Sequence, residues 1–287
     1  MDYDPMFGQA YKHQKQIQLI IYQNMNPILS IKNRILYPRM QSSFEKTRLG
    51  KRIAKYHNKY LGKRCFIVAN GPSLRAEDLD LLHQKGEISF GMNRIYKMFD
   101  QTDWRPTFYV CEDELIAKEQ QKEINAIDAQ EKFIPVELNW WHGIDINDAL
   151  YFHLNYDESK CSKYSFSTDI AHQIECRGTV TFTCMQIAAY MGFSEIYLLG
   201  VDHNYQRTID INGNVIVDPN AKDYFCEGYD EDIKDIVVHD MGNNTRAYID
   251  AKKYCDETGR TTIYNATRGG KLEVFTRVDF DSLFNQR

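Results

Sequence analysis

The sequence predicts an α/β protein in which helices flank a doubly wound, mostly parallel sheet, the Rossmann-like arrangement. Three observations support this prediction. Short apolar runs, such as residues 64–69, are typical of strands that are buried on both faces. Helical patterns alternate with these runs along the chain. Polar residues cluster directly after the runs, where the loops of a parallel sheet converge on a ligand crevice.

The chain divides into two predicted parts. Residues 1–60 are rich in Gln, Lys, Arg and Asn, with apolar residues at helical intervals, and are predicted to form a helical N-terminal extension. Residues 61–287 are predicted to form the Rossmann-like nucleotide-binding catalytic domain. The basic stretch 48–63 is open to two interpretations, a solvated helix face or an arm that approaches an anionic membrane or a lipid-linked acceptor.

Seven apolar runs are predicted to be strands. They span residues 64–69, 88–92, 107–111, 132–138, 150–154, 196–201 and 261–264. Helical spacing follows the first strand near residues 79–82 and recurs over residues 179–191 and 245–258. Gly192 and Gly259 come directly after the last two segments and are typical helix stops.

Composition excludes several classes of protein. A net charge of −5 argues against a general nucleic-acid binder. The seven cysteines are scattered and include no C-x-x-C pair, which favours reduced thiols in the cytoplasm over disulfides or a zinc site. The N-terminus is acidic and polar, unlike a signal peptide, and the apolar run 19–22 is too short to span a bilayer. We therefore expect a cytoplasmic protein, with contact at the inner face of the membrane through residues 1–60 left open.

The turn after the first predicted strand is the strongest local feature. Gly71 lets the backbone come close to a ligand, and Pro72 fixes the turn. Ser73 is expected to cap the following helix, whose N-terminus would offer N–H groups to an anion. The turn has neither the lysine of a Walker A loop nor the glycines of a G-x-G-x-x-G fingerprint. Taken alone, it is either a plain turn or a ligand loop.

Three blocks of sequence carry a family resemblance. The first is residues 67–74, the second is Arg177 followed by residues 190–202, and the third is His239 followed by residues 244–245 and a helix. In this order and spacing they resemble the bacterial sialyltransferases that use CMP-sialic acid, the Campylobacter-type family. They also resemble the larger group related to archaeal 6-hydroxymethylpterin diphosphokinase, many of whose members belong to surface-polysaccharide gene sets.

The resemblance implies a GT-A-like variant of the Rossmann-like fold with a site for a CMP-sugar. The implied nucleotide-binding residues are Asn70, Gly71, Pro72, Ser73, Asn93, Arg94, Gly178, Thr179, Thr181 and Asp202. The implied catalytic residues are His239, Tyr205 and Arg177. In the sialyltransferases the segment before the central helix contains Thr-Ser-Gly, and the corresponding segment here, residues 177–181, does not. The resemblance implies no metal and no cofactor besides the CMP-sugar donor.

His239 is the predicted general base, because imidazole has a pKa near neutrality and can take the proton of an attacking hydroxyl. The competing interpretations are an exposed His239 without a catalytic role, and His203, which directly follows a predicted strand, as the base. Arg94 and Arg177 are candidates for phosphate pairing or for structural salt bridges. The loop that begins at Arg268 could close over a phosphate or be a plain turn.

Three carboxylates decide between mechanisms. If Glu112, Asp113 and Asp202 jointly hold Mg²⁺, the chemistry is phosphoryl or pyrophosphoryl transfer. If they do not, the resemblance implies a metal-independent inverting glycosyltransferase that acts in bacterial surface-glycan synthesis on a glycan or lipid-linked acceptor. The alternatives are an ATP- and Mg²⁺-dependent 6-hydroxymethylpterin diphosphokinase-like enzyme and a non-catalytic nucleotide-sugar-binding scaffold. A homo-oligomer is left open.

Overall fold

The computed structural model describes residues 35–157, 160–210, 214–231 and 238–285. The predictions for residues 1–34 lie outside this part of the chain. The described residues form an α/β fold with one central eight-stranded sheet, two small two-stranded sheets and helices on both faces of the central sheet. The predicted fold class is confirmed.

All eight strands of the central sheet run parallel. In spatial order they are β12 (Thr276–Arg277), β11 (Thr262–Asn265), β8 (Glu195–Leu199), β1 (Arg64–Val68), β2 (Ser89–Met92), β3 (Phe108–Val110), β4 (Glu131–Pro135) and β5 (Leu150–Phe152). The small sheets pair β6 (Leu154–Asn155) with β7 (Ile174–Glu175) and β9 (Arg207–Ile209) with β10 (Val215–Val217). Strand order reverses between β1 and β8, which is therefore the topological switch point of the sheet.

The helices form two layers around the sheet. In chain order they are α1 (Tyr37–Gln41), α2 (Arg48–Ala54), α3 (Ala76–Gln84), α4 (Glu114–Glu119), α5 (Gln121–Ala126), α6 (Val136–His142), α7 (Val180–Tyr190) and α8 (Met241–Thr258). Alternate residues of each strand face opposite layers, so Cys65 and Ile67 join the core under α7 and α8, whereas Phe66 and Val68 join the core under α3. Burial on both faces explains the continuous apolar runs of the sequence.

The described part of the N-terminal segment packs on the sheet. Phe44, Ile53 and Tyr60 are buried in the same core as α7. The Asn58 and Tyr60 amides donate to the carbonyls of Tyr190 and Met191 at the C-terminal end of α7, near the amino ends of the strands. The basic side chains of this segment, such as those of Lys51, Lys55 and Lys59, are exposed. Membrane contact through these side chains stays a prediction.

Two element predictions were wrong in their bounds. The run 132–138 was predicted to be one strand, but β4 ends at Pro135 and α6 begins at Val136. Proline has no N–H to continue a ladder, and here it precedes the helix as its N-cap residue. Helix α8 begins at Met241, before the predicted residue 245, because the Asp240 carboxylate accepts a hydrogen bond from the Asn243 amide and caps it there.

No helix in the described part of the chain is long and apolar enough to cross a membrane.

Candidate functional site at the switch point

The turn after β1 is fastened to the end of β8 across the switch point. The Gly71 amide donates to the Gly200 carbonyl over 2.9 Å. Both the Ser73 amide and the Ser73 hydroxyl donate to Asp202 Oδ2, at 3.2 and 2.8 Å. A Cβ on Gly71 would lie 2.1 Å from the same oxygen, so only glycine fits here. The two strand ends that flank the switch point therefore form one structural unit.

Two details of this turn differ from the sequence prediction. Ser73 does not cap α3, which begins three residues later with Arg75 as its N-cap residue and no side-chain cap. The serine hydroxyl instead donates to Asp202, which lies just beyond β8. Burial raises the pKa of Asp202, and the hydrogen bonds from Ser73 act in the opposite direction. Pro72 lies half-buried between these contacts.

Two asparagines follow β1 and β2 and lie together. Asn70 Nδ2 donates to the Met92 carbonyl over 3.1 Å, directly before Asn93. Asn93 has a left-handed backbone with φ of 49°, and its carbonyl accepts from the Tyr109 hydroxyl at 2.6 Å. The Oδ1 atoms of both asparagines are buried and have no hydrogen-bond partner among the described residues. Buried polar atoms in native proteins are almost always bonded, so this pair indicates a place for a ligand.

An aromatic segment, residues 221–231, covers the asparagines. The Phe225 amide donates to the Asn70 carbonyl over 3.1 Å, and the rings of Tyr224 and Tyr229 stack at 3.8 Å. Arg94 holds this segment, because its guanidinium donates to the Tyr229 carbonyl and its amide to the Tyr229 hydroxyl. Lys97 adds a 2.7 Å bond to the Gly228 carbonyl. The predicted pairing of Arg94 with phosphate stays a prediction.

Segment 177–181 leads into α7 and contacts the end of β2 through Thr181. The Arg177 guanidinium is buried and lies 4.0 Å from the Asp250 carboxylate of α8. Gly178 has φ of 75° and lies against Asn243. Thr179 precedes the first residue of α7, and Thr181 is buried with its hydroxyl 3.6 Å from Met92 Sδ. In this segment Arg177 thus forms an internal ion pair, and its pairing with a phosphate stays a prediction.

His239 lies beside Tyr205, as the resemblance implied for two members of one site. Their rings stack at 3.8 Å with an interplanar angle of 16°. Backbone hydrogen bonds to Arg207 and Ile209 fix His239 against β9. Burial lowers the pKa of His239, and the nearby Asp223 and Asp230 oppose this shift. His239 Nε2 is buried without a hydrogen-bond partner in the part of the chain that the structure describes. His239 is thus partly buried, and its role as the base stays a prediction.

Burial also raises the pKa of Tyr205 far above its usual range, so its hydroxyl keeps its proton at neutral pH. Next to it, His203 directly follows Asp202 and is 6% exposed. Its ring lies 6.4 Å from that of Tyr205, and its Nδ1 atom is a further buried atom that lacks a partner in the described ranges. We call Asn70, Asn93, His203 and His239 the switch-point cluster, since each contributes one such atom.

The three carboxylates proposed for Mg²⁺ have separate internal partners. Glu112 accepts from the Thr183 hydroxyl at 2.6 Å, Asp113 caps α4 by accepting from the Ile116 amide, and Asp202 accepts from Ser73. In the four described ranges, no three His, Cys, Asp or Glu side chains are grouped so that they could hold a metal ion. Joint coordination of Mg²⁺ by the three carboxylates finds no support in this arrangement.

The basic loop at Arg268 has a structural role in this conformation. Its guanidinium bonds both Asp78 of α3 and Asp281, at distances between 2.6 and 3.2 Å. These bonds raise the pKa of Arg268. The N-terminus of α3 thus faces its own acidic residue and this arginine. Of the two interpretations of the loop, the geometry favours a structural turn over a phosphate cover.

A second group of buried polar residues also lies at the carboxyl ends of the strands, but after β4 and β5, away from the switch point. Glu137 Oε1 accepts from the Tyr37 hydroxyl at 2.9 Å and lies 2.5 Å from His153 Nδ1. Glu137 Oε2 accepts from the Leu154 amide at 3.1 Å. We call Tyr37, Glu137 and His153 the far-end network. In contrast to the switch-point cluster, its carboxylate is fully engaged within the protein.

Sequence reasoning missed Tyr224, Tyr229 and Tyr248 at the switch point, and Glu137 at the far end. The tyrosines are 3 of 19 in the chain, so composition did not single them out. Tyr248 had a usable signal, because it lies four residues beyond Asn244 in the third resembling block. A lone glutamate such as Glu137 has no local pattern that marks it.

The parallel sheet and its topological switch point place the protein in the Rossmann-like α/β class. A family model described as 6-hydroxymethylpterin diphosphokinase MptE-like matches residues 40–208, which is more than half of the chain. The protein therefore belongs to the MptE-like family. This finding confirms the predicted resemblance to the 6-hydroxymethylpterin diphosphokinase group. The predicted resemblance to the Campylobacter-type sialyltransferases stays a proposal. A search of curated proteins finds no match.

Among solved structures, the chain is similar to the MAf glycosyltransferase from Magnetospirillum magneticum AMB-1. The TM-score is 0.50 and the sequence identity is 16%. The similarity covers 85% of this chain and 39% of that glycosyltransferase, so the present chain corresponds to well under half of its length. At this identity the similarity shows a shared fold.

Proposed function

We propose that the protein is a metal-independent inverting glycosyltransferase that takes a sugar from a nucleotide donor, which we expect to be CMP-activated. The observation that carries this proposal is the switch-point cluster. Four buried polar atoms lack partners within the described residues: those of Asn70, Asn93 and His203 follow three central strands, and that of His239 lies in the segment that pairs with β9. A ligand with several hydrogen-bond donors, such as a nucleoside with its sugar, would satisfy them.

The reaction needs one group that removes a proton. As the acceptor hydroxyl oxygen attacks the anomeric carbon, a bond forms between them and the bond from that carbon to the phosphate oxygen breaks. The nucleotide leaves with the bonding electrons, and His239 takes the hydroxyl proton. Burial keeps the His239 imidazole neutral at pH 7, which is the form that can accept a proton.

The residues at the site support the proposed independence from metal. A leaving group with one phosphate develops less charge than a pyrophosphate. Glu112, Asp113 and Asp202, the carboxylates at these strand ends, each bond a different internal donor. The hydroxyls of Tyr205 and Tyr224 keep their protons, because burial raises their pKa values. Such hydroxyls can donate to a leaving phosphate without a metal.

The first experiment identifies the nucleotide. Thermal unfolding of the full chain is measured with CMP, UDP, GDP and ATP, each with and without Mg²⁺. A ligand that binds the folded state at 100 times its Kd stabilises it by about 2.7 kcal/mol. We expect CMP to stabilise the protein irrespective of Mg²⁺. Stabilisation by ATP with Mg²⁺ and none by CMP would contradict the proposal.

The second experiment tests the base. His239→Asn is expected to lower turnover of a CMP-sugar by a factor on the order of 10²–10⁴, the usual contribution of a general base. Loss of the stacking contact with Tyr205 should lower the unfolding free energy by roughly 1 kcal/mol, which leaves the protein folded. His83→Asn, at an exposed helical histidine, is the matched control and should leave turnover unchanged. Equal turnover by the His239 variant and the control would remove His239 from the mechanism.

Family membership favours a second candidate, an ATP-dependent enzyme of the 6-hydroxymethylpterin diphosphokinase type. This candidate predicts a strict Mg²⁺ requirement and stabilisation by ATP. A non-catalytic nucleotide-sugar scaffold would bind CMP without turning over any donor. The nucleotide panel followed by the turnover assay therefore separates all three functions.

A further inference from the structure

His203 lies at the centre of the switch point, and the proposed reaction does not use it. It directly follows Asp202, and its backbone has φ of 50°, a left-handed conformation that is uncommon for a residue with a side chain. Its side chain is nine-tenths buried, at 6% exposure. A strained, buried histidine at a strand end requires a reason, because both features cost free energy.

One nitrogen of the His203 ring is fixed by Thr245 of α8. His203 Nε2 lies 2.9 Å from the Thr245 hydroxyl, and that hydroxyl donates its single proton to the Met241 carbonyl at 2.7 Å, one helical turn earlier. The hydroxyl must therefore accept from His203, so Nε2 carries a proton. Burial lowers the pKa of His203, which leaves the ring neutral at pH 7. In a neutral ring with a protonated Nε2, Nδ1 presents a lone pair.

That lone pair has no partner in the described part of the chain. The rings around His203 are those of Tyr248 at 5.5 Å and Tyr205 at 6.4 Å. The Asp202 carboxylate follows β8 directly before His203. A lone pair accepts a hydrogen bond from a donor and has no proton to offer a phosphate oxygen. The donors that a sugar supplies to such a lone pair are hydroxyls.

We propose that His203 Nδ1 binds a hydroxyl of the sugar carried by the nucleotide, and that Thr245 positions the ring for this contact. Tyr248, which packs against His203, lies beside Thr179 and Thr181, in the segment that leads into α7. Binding of CMP, which lacks the transferred sugar, separates a contact with this sugar from one with the nucleotide. This inference rests on the proposed function, because it takes a sugar nucleotide as the ligand.

Two isosteric variants test the two ring nitrogens separately. His203→Gln keeps an amide near the position of Nε2 and removes the Nδ1 acceptor, whereas His203→Asn keeps an acceptor near Nδ1 and loses the contact with Thr245. Binding of CMP and of CMP-N-acetylneuraminate to the full chain is measured by titration calorimetry. We expect CMP affinity to stay within about twofold in both variants. Affinity for the sugar nucleotide should fall roughly tenfold in His203→Gln and less in His203→Asn.

Thr245 has its own pair of variants. Thr245→Val removes the hydroxyl and should weaken binding of the sugar nucleotide alone, and Thr245→Ser should restore it. A His203→Gln variant that binds CMP-N-acetylneuraminate as tightly as the wild type would overturn the inference. So would an equal loss of CMP and sugar-nucleotide affinity, which would place His203 at the nucleotide. If the wild type bound neither ligand, the proposed function would fail first and this inference with it.

Discussion

The switch-point cluster and the far-end network both lie at the carboxyl ends of strands of one sheet, yet they differ in whether their polar atoms have hydrogen-bond partners. Both contain a buried histidine that follows a strand, His203 after β8 and His153 after β5. At the far end, Glu137 accepts three hydrogen bonds from within the protein. At the switch point, four atoms lack partners in the described residues. The carboxylate of the far-end network is thus satisfied within the protein, although Trp141 Nε1 beside Tyr37 lacks a partner in the described residues, whereas each member of the switch-point cluster has an unsatisfied atom.

The largest effect on the unfolding free energy is expected in the far-end network. Glu137→Ala leaves the Tyr37 hydroxyl, His153 Nδ1 and the Leu154 amide buried without their acceptor. We expect the unfolding free energy to fall by roughly 3–5 kcal/mol in urea denaturation, the usual cost of breaking a buried polar pair. Tyr37→Phe, which removes one donor and leaves the other two paired, should cost about 1 kcal/mol. A stable Glu137→Ala protein that has lost CMP binding would show that the far-end network binds the ligand and is not structural.

The next effect is at the junction of β1 and β8. In Gly71→Ala the new Cβ lies 2.1 Å from the Asp202 carboxylate and 2.5 Å from the Gly200 carbonyl, so the strand ends must move apart. Overpacking of this kind costs roughly 1–3 kcal/mol, and we also expect nucleotide binding to be lost. The control is Gly86→Ala, where a Cβ meets open space at φ of 63° and shows the cost of backbone strain alone. Equal thermal stability of the two variants, with CMP binding retained, would contradict the tight junction.

A smaller effect on stability is expected for a substitution in the switch-point cluster. Asn93→Gly removes an amide whose oxygen lacks a partner in the described chain, and glycine accepts the left-handed backbone. We expect the unfolding free energy to change by less than about 1 kcal/mol, whereas CMP affinity should fall about tenfold. Asn58→Gly is the matched control, because Asn58 is exposed and has φ of 55°. If both variants bind CMP equally, Asn93 is not part of the nucleotide site.

The smallest effect is a pH dependence of stability. Burial lowers the pKa of both His203 and His239 in the folded protein, so the unfolded chain binds their protons first as the pH falls. Their contribution to stability is present above about pH 6.5, the ordinary histidine pKa, and is lost below it. A His203→Asn/His239→Asn double variant should show a shallower loss of unfolding free energy between pH 7 and 5.5. An unchanged slope would show that these rings are not held neutral.

Local signals predicted most of the fold and part of the site. The apolar run 64–69 and the turn that contains Gly71 were predictable because doubly buried strands and close backbone contacts leave a pattern within a few residues. The bond between Ser73 and Asp202 joins residues 129 apart and leaves no such pattern, so Ser73 was wrongly expected to cap a helix. The network around Glu137 was missed for the same reason. Long-range pairing of polar groups is specified by the assembled fold.

The pairing of β1 with β8 has a consequence for how the chain folds during synthesis. Arg64–Val68 lies beside Glu195–Leu199 along its whole length, and β1 is the strand that begins the sheet. One edge of this apolar strand stays without its neighbour until more than 130 further residues have left the ribosome. Closing so long a loop is slow, and an unpaired strand edge invites association with other chains. The strand order that creates the switch point therefore also leaves an apolar strand edge exposed for much of synthesis.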